Sequence, residues 1–207
     1  MLVDPKTGNI VAATQRPTYN STTKEGIDVQ WNNLLTDQAY EPGSTMKVLA
    51  LAAAINEGVF DPNEKYKSGS VKIYTDLVRD YNKVGWGNIT YLEGLAHSSN
   101  VAFVYIIQKI GIEKWKQYLE AFGFGKSTNS GFANEISGSN PFNSYLQQLS
   151  TGFGQGISVT PYQMMQAFTA IANGGQMQKL RLVDHLTDPD TGKETPNPTT
   201  ALGKVIS

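Results

Sequence analysis

Ser44 and Lys47 stand three residues apart in Glu41-Pro42-Gly43-Ser44-Thr45-Met46-Lys47, and an unbroken apolar run follows. Pro and Gly stop whatever precedes them, so a helix is predicted to start at or just after Ser44. On that helix the two side chains share a face. A hydroxyl then lies beside an amine at the positive end of a helix dipole. Serine is a poor nucleophile until a base takes its proton, and a lysine kept neutral by burial can be that base. The Ser44 backbone N–H, at the helix start, is free to serve as half of an oxyanion hole. The bland alternative is a capping serine and a solvated lysine. Against it, the helix behind Lys47 is apolar almost all round, and Pro42-Gly43 permits close backbone approach.

Two further clusters bear on the same chemistry. Ser98-Ser99-Asn100 falls between two helical segments, where it is either a simple helix break or one wall of a cleft. In the second reading Ser98 relays protons between the lysine and a leaving amine. Asn100 steadies Lys47 and donates to a substrate amide carbonyl. Gly152-Phe153-Gly154-Gln155-Gly156-Ile157-Ser158-Val159-Thr160-Pro161 is dense in glycine, which suits backbone packed closely against something else. It does not have the form of a phosphate-binding loop.

The elements that must position these residues can be read coarsely. Leu2-Val3 and Ile10 to Ala13 flank Asp4 to Asn9 as a hairpin. Residues 15–37 form a long loop. The Ser44 helix runs to about Asn56, stops at Gly58 and is expected to be buried on all sides. A short strand is predicted at Ser70 to Tyr74. Thr90 to Glu93 is a capping box opening a helix to about His97. Further helices are expected over Val101 to Lys109, Ile112 to Ala121, from Asn140-Pro141 to before Gly152, and from Thr160-Pro161 to about Ala172. Leu180 to Leu186 reads as a strand and Asp188 to Lys193 as a turn. Thr195 to Ser207 reads as a mobile tail.

Composition limits the alternatives. The 207 residues suffice for one domain or a large piece of one. Apolar residues make up 40%, charged residues 17%, and the net charge is -1, which gives no support for nucleic-acid binding. There is no cysteine, and the two histidines, His97 and His185, are far apart in sequence, so neither thiolate chemistry nor a metal-ligand spacing is present. The longest apolar run, Val48 to Ile55, is too short to cross a bilayer.

Taken together, the three clusters resemble the penicillin-binding transpeptidase family, most closely its monofunctional class B division enzymes. The Glu-Pro-Gly-Ser-Thr-Met-Lys helix, the Ser-x-Asn turn at 98–100 and Gly-Gln-Gly-Ile-Ser-Val-Thr-Pro at 154–161 match in order and rough spacing. The Asp-Pro-Lys-Thr-Gly hairpin is similar to the family's first strands. The resemblance implies an α/β fold, with an antiparallel sheet flanked by helices plus an all-helical region and the Ser44 helix between them. It implies D,D-transpeptidation of peptidoglycan stem peptides ending in D-Ala-D-Ala, acylation by β-lactams, and no cofactor or metal. It places the parent protein on the extracytoplasmic face of the bacterial membrane, with an anchor outside this chain and division or elongation proteins as partners. Ser44, Lys47, Ser98 and Asn100 are then catalytic; Ser99, Tyr81, Gly154 and Gln155 contact substrate. One departure stands out. The family's Lys-Thr/Ser-Gly strand should follow the Gly-Gln-Gly segment. Lys6-Thr7-Gly8 lies on the wrong side of Ser44, and Thr191-Gly192-Lys193 has the wrong order. The expectation is an incomplete domain, weak or inactive alone, with its sheet cut short. A serine β-lactamase or β-lactam sensor, and a non-catalytic scaffold of the same fold, are the alternatives.

Overall fold

A computed structural model describes residues 1–207. In chain order the elements are β1 (Leu2–Val3), β2 (Ile10–Ala12), α1 (Met46–Asn56), β3 (Lys65–Lys67), β4 (Ser70–Ile73), β5 (Asp76–Arg79), β6 (Asn88–Thr90), α2 (Tyr91–Ala96), α3 (Asn100–Ile110), α4 (Ile112–Ala121), α5 (Tyr145–Ser150), α6 (Pro161–Ala172), β7 (Gln176–Gln178), β8 (His185–Thr187), β9 (Glu194–Pro196) and β10 (Ala201–Lys204). Every strand pairing is antiparallel, in five two-stranded pieces: β1–β2, β3–β6, β4–β5, β8–β9 and β7–β10. Helices plus small, open antiparallel sheets agree with the expected class. The chain divides into two units, one of residues 1–40, 122–138 and 159–207, the other of 41–121 and 139–158.

The second unit carries the residues of interest and is mainly helical. α1 packs against α3 and α4. Met46, Leu49, Ala50 and Ala53 of α1, Val101, Phe103, Val104 and Ile107 of α3, and Trp115 and Leu119 of α4 are buried, and burial of such side chains is the main favourable term in folding. Trp115 satisfies its buried indole N–H by donating to Thr151 Oγ1 at 2.8 Å. The capping box at α2 is formed as expected, with Thr90 and Glu93 bonded reciprocally. α1 departs from the expectation of burial all round: Val48 and Ile55 are exposed. The helix behind Ile55 ends at Asn56, two residues before Gly58.

Three other expectations need correction. The helix predicted from Asn140-Pro141 starts only at Tyr145, because Ser144 is the cap: its Oγ accepts from Gln147 N–H at 3.2 Å. The strand predicted over Leu180 to Leu186 is replaced by β7 and β8. Arg181 makes a lone bridge to the β1–β2 turn, donating its N–H to Gly8 O and accepting from Ile10 N–H. The Pro/Thr-rich tail forms β9 and β10: β9 closes a hairpin with β8, and β10 pairs with β7, a distant partner that local composition does not reveal.

In the first unit, α6 starts as predicted, with Thr160 as cap and Pro161 at its first position. Buried Gln163 closes the capping box and donates from Nε2 to Lys126 O at 2.8 Å and Ser137 O at 2.9 Å, which ties the 122–138 segment to the helix. Lys6-Thr7-Gly8 lies in the β1–β2 turn, where Thr7 Oγ1 donates to Asp4 Oδ2 at 2.9 Å.

Candidate active site

Ser44 lies in a single 3-10 turn, Gly43–Thr45, that runs straight into α1. The turn is closed by Thr45 Oγ1 donating to Pro42 O at 2.7 Å. Ser44 is exposed, and its N–H belongs to the first turn, where no intrahelical acceptor exists.

Lys47, one turn on, is 3% exposed. Its aliphatic stem follows the core face of α1, and its amine sits 5.5 Å from the Phe103 ring centroid. Nζ donates to Ser98 O at 2.6 Å, Ser98 Oγ at 3.1 Å and Asn100 Oδ1 at 2.8 Å. Burial disfavours the charged amine and lowers its pKa to about 8, while the carboxylate of Asp80 pulls the other way. At neutral pH roughly a tenth of the amine is therefore free base, against less than a thousandth for an ordinary lysine.

The connection between the two is not the direct one that the sequence suggests. Ser98 Oγ donates to Ser44 Oγ at 3.0 Å, and Lys47 reaches Ser44 through that hydroxyl. The three groups form the relay Lys47–Ser98–Ser44. Ser98 itself has a left-handed backbone, φ +53°, which costs a residue with a side chain about 1–2 kcal/mol. The turn between α2 and α3 thus holds strain at the residue placed between Lys47 and Ser44. Asn100 Nδ2 donates to Arg79 O at 3.2 Å, which fixes the amide while leaving its second N–H open.

Ser99 is a correction. Expected against substrate, it is fully buried and caps α3, accepting from Ala102 N–H at 3.0 Å and donating to Asp80 Oδ1 at 2.8 Å. Asp80 is the residue that sequence reading missed. It is 1% exposed, yet no spacing in Arg79-Asp80-Tyr81 ties it to Ser98. Tyr81 is 72% exposed and meets Trp86 edge-on at 5.6 Å, and Trp86 stacks on His97 at 4.3 Å. Of these rings only that of His97 adjoins the Ser98 turn in sequence. His97 packs against Trp86.

The Gly-Gln-Gly segment braces the Ser44 turn. Gly154 O accepts from Gly43 N–H at 3.1 Å, and Gly156 N–H donates to the Glu41 carboxylate at 2.8 Å. Glu41 is thus a brace across the two segments. Gly154 has φ +76°, and a Cβ there would stand 2.2 Å from Gly43 O and 2.4 Å from Gly43 N. Gln155 projects outward while its N–H donates to Ser150 O. Gly154→Ala is expected to cost about 3 kcal/mol from positive φ plus backbone overlap. That lowers the thermal midpoint by roughly 6–12 °C. It should also displace Ser44, so a variant with wild-type melting and wild-type acylation would contradict the packing described.

Nowhere do three or more His, Cys, Asp or Glu side chains gather as a metal site, and no helix is long and apolar enough to cross a membrane. What the site can do is acyl transfer, with a serine oxygen activated by a buried amine that is partly neutral at pH 7. Fold and site together define a class: active-site-serine proteins built on a Ser-x-x-Lys helix. Comparison with known proteins gives the family. The chain matches the penicillin binding protein transpeptidase domain over residues 1–206, and it belongs to that family. It is 34% identical to Stage V sporulation protein D of Bacillus subtilis over 92% of its length, and 31% identical to penicillin-binding protein PbpB of Mycolicibacterium smegmatis, again over 92%. Its fold follows penicillin binding protein 2X of Streptococcus thermophilus with a TM-score of 0.92 at 39% identity, covering 99% of this chain and 31% of that one. Penicillin binding protein 3 of Mycobacterium tuberculosis, solved with aztreonam, gives 0.83 at 29% identity, covering 99% and 47%. The chain spans about a third of the length of the curated relatives it matches, 31% and 30% in the first two.

Proposed function

We propose that the protein is a peptidoglycan D,D-transpeptidase that cross-links stem peptides through an acyl-enzyme on Ser44. The observation that carries this is the relay from Lys47 Nζ through Ser98 Oγ, 3.1 Å, to Ser44 Oγ, 3.0 Å. Ser44 Oγ attacks the carbonyl of the penultimate D-alanine, and its proton passes through Ser98 to the neutral Lys47 amine. The C–N bond breaks, and the departing D-alanine nitrogen takes a proton back from Ser98. The amine of a neighbouring stem peptide then attacks the ester, loses a proton along the same relay and restores Ser44. The open N–H of Asn100 holds the donor peptide, and Tyr81 and the outward Gln155 border it. A β-lactam enters the same first step and stays attached. Relatives named as peptidoglycan D,D-transpeptidases, such as MrdA of Escherichia coli, and the mycobacterial neighbour solved with ampicillin support this reading. In the same reading the protein works on the outer face of the cell membrane among division or elongation proteins. A Lys-Thr/Ser-Gly strand outside these residues completes the domain with a carboxylate-binding cation and a second oxyanion N–H.

The test is mass spectrometry of the intact protein after exposure to penicillin. The expected adduct has the full mass of the β-lactam, since ring opening expels nothing, and maps to the peptide containing Ser44. No adduct, or sustained hydrolysis of nitrocefin in its place, would overturn the proposal.

A further inference from the structure

Asp80 is a buried carboxylate with no cation within ion-pair distance, a costly arrangement unless other groups stabilise it. Its oxygens are fully engaged. Oδ1 accepts from Ser99 Oγ at 2.8 Å and from Val101 N–H at 3.1 Å, and Oδ2 accepts from Gly69 N–H at 2.7 Å. Its own N–H donates to Gly69 O at 3.0 Å, so the residue is doubly tied to the start of β4. Val101 is in the first turn of α3, where the helix dipole favours a negative charge. The preceding residue contributes too, since Arg79 O accepts from Asn100 Nδ2. Arg79 and Asp80, at and just after the end of β5, therefore fasten the Ser98–Asn100 turn at Ser99 and Asn100 and the α3 start that follows it at Val101. That turn supplies all three acceptors of the Lys47 amine.

We propose that Asp80 is the positioning residue of the Ser44 site, its carboxylate fixing the Ser98–Asn100 turn and providing the counter-charge to Lys47. The inference rests on the reading of Ser44 and Lys47 as nucleophile and base. Two functions follow from one group. The hydrogen bonds hold Ser98, strained at φ +53°, between amine and nucleophile. The charge partly offsets the desolvation of Lys47 and keeps its proton affinity from falling further. The amine meets Ser98 of the turn and, from α3, Asn100 and the Phe103 ring; the Thr151–Phe153 turn packed against α1 carries no titratable side chain; on α4, Glu113, Lys116 and Glu120 are exposed, and Lys114 and Tyr118 engage Glu57 just beyond the far end of α1, so Asp80 is the charged group acting on Lys47. A packing role alone would not couple Asp80 to that titration.

The experiment compares wild type, Asp80→Asn and Ser99→Ala in the intact protein, measuring the second-order rate of acylation by a fluorescent penicillin from pH 5.5 to 9.5. Asp80→Asn removes the charge and sets an amide against Gly69 N–H. Its midpoint should move to lower pH by about one unit, with a lower plateau. Ser99→Ala keeps the charge and loses one tie, so its midpoint should stay while the plateau falls about tenfold. The Lys47 Cε resonance, assigned with Lys47→Arg, should titrate at correspondingly lower pH in Asp80→Asn, a readout that needs no acylation. An unmoved midpoint and resonance in Asp80→Asn would overturn the proposal. If Asp80→Asn does not fold, a wild-type plateau in Ser99→Ala overturns it instead. Wild-type protein that is never acylated would refute the transpeptidase reading, while the resonance would still report whether Asp80 and Lys47 are coupled.

Discussion

Ser44→Ala is expected to abolish covalent labelling by β-lactams completely while leaving the fold intact. The acyl group needs an oxygen to form its ester, and the neighbouring hydroxyl cannot replace it: Ser98 Oγ is committed to Lys47 and sits on a turn tied by Asn100 and Ser99. Loss of a catalytic serine typically costs about 10⁶-fold. Stability should change by no more than about 0.5 kcal/mol, because Ser44 is exposed and its side chain makes no bond that holds the helix. Gel fluorescence after denaturation, with a thermal melt alongside, checks both halves. Residual label on Ser98 or any other residue would contradict the assignment.

Lys47→Met should lower the acylation rate by about 10³-fold, within the range for removal of a general base. Methionine fills nearly the same volume in the same core position, so the loss is chemical more than steric. The substitution removes the donor to Ser98 O, Ser98 Oγ and Asn100 Oδ1, so the strained Ser98 turn loses its tie to α1. Single-turnover acylation kinetics at pH 8 would show this. A rate within tenfold of wild type would mean that the serine finds its base elsewhere, and the relay would be wrong.

Much of the site was legible because it depends on local rules. Pro42-Gly43 before Ser44, the capping boxes at Thr90 and Thr160, and the three-residue offset of Lys47 are short-range signals with direct structural consequences. α4 and α6 fall where capping and periodicity put them. What stayed hidden depends on contacts between distant segments. Asp80 is 19 residues from Ser99 and 33 from Lys47, and nothing in its neighbours marks it as buried. Ser99 looks like Ser98 in sequence, and only the turn in three dimensions sends one hydroxyl inward to cap α3 and the other toward the nucleophile. The tail was misread for the same reason. Pro weakens local strand propensity, yet the segment pairs with β7, some 25 residues earlier.

If a lysine stripped of water activates Ser44, the pH profile of wild-type acylation shows it most directly. Because burial lowers the Lys47 pKa to about 8, the base form is lost as pH falls below that value. The rate constant for acylation should rise about tenfold per unit from pH 6 to 7.5, bend near pH 8 and level off above it. A flat profile between pH 6 and 9 would contradict the account.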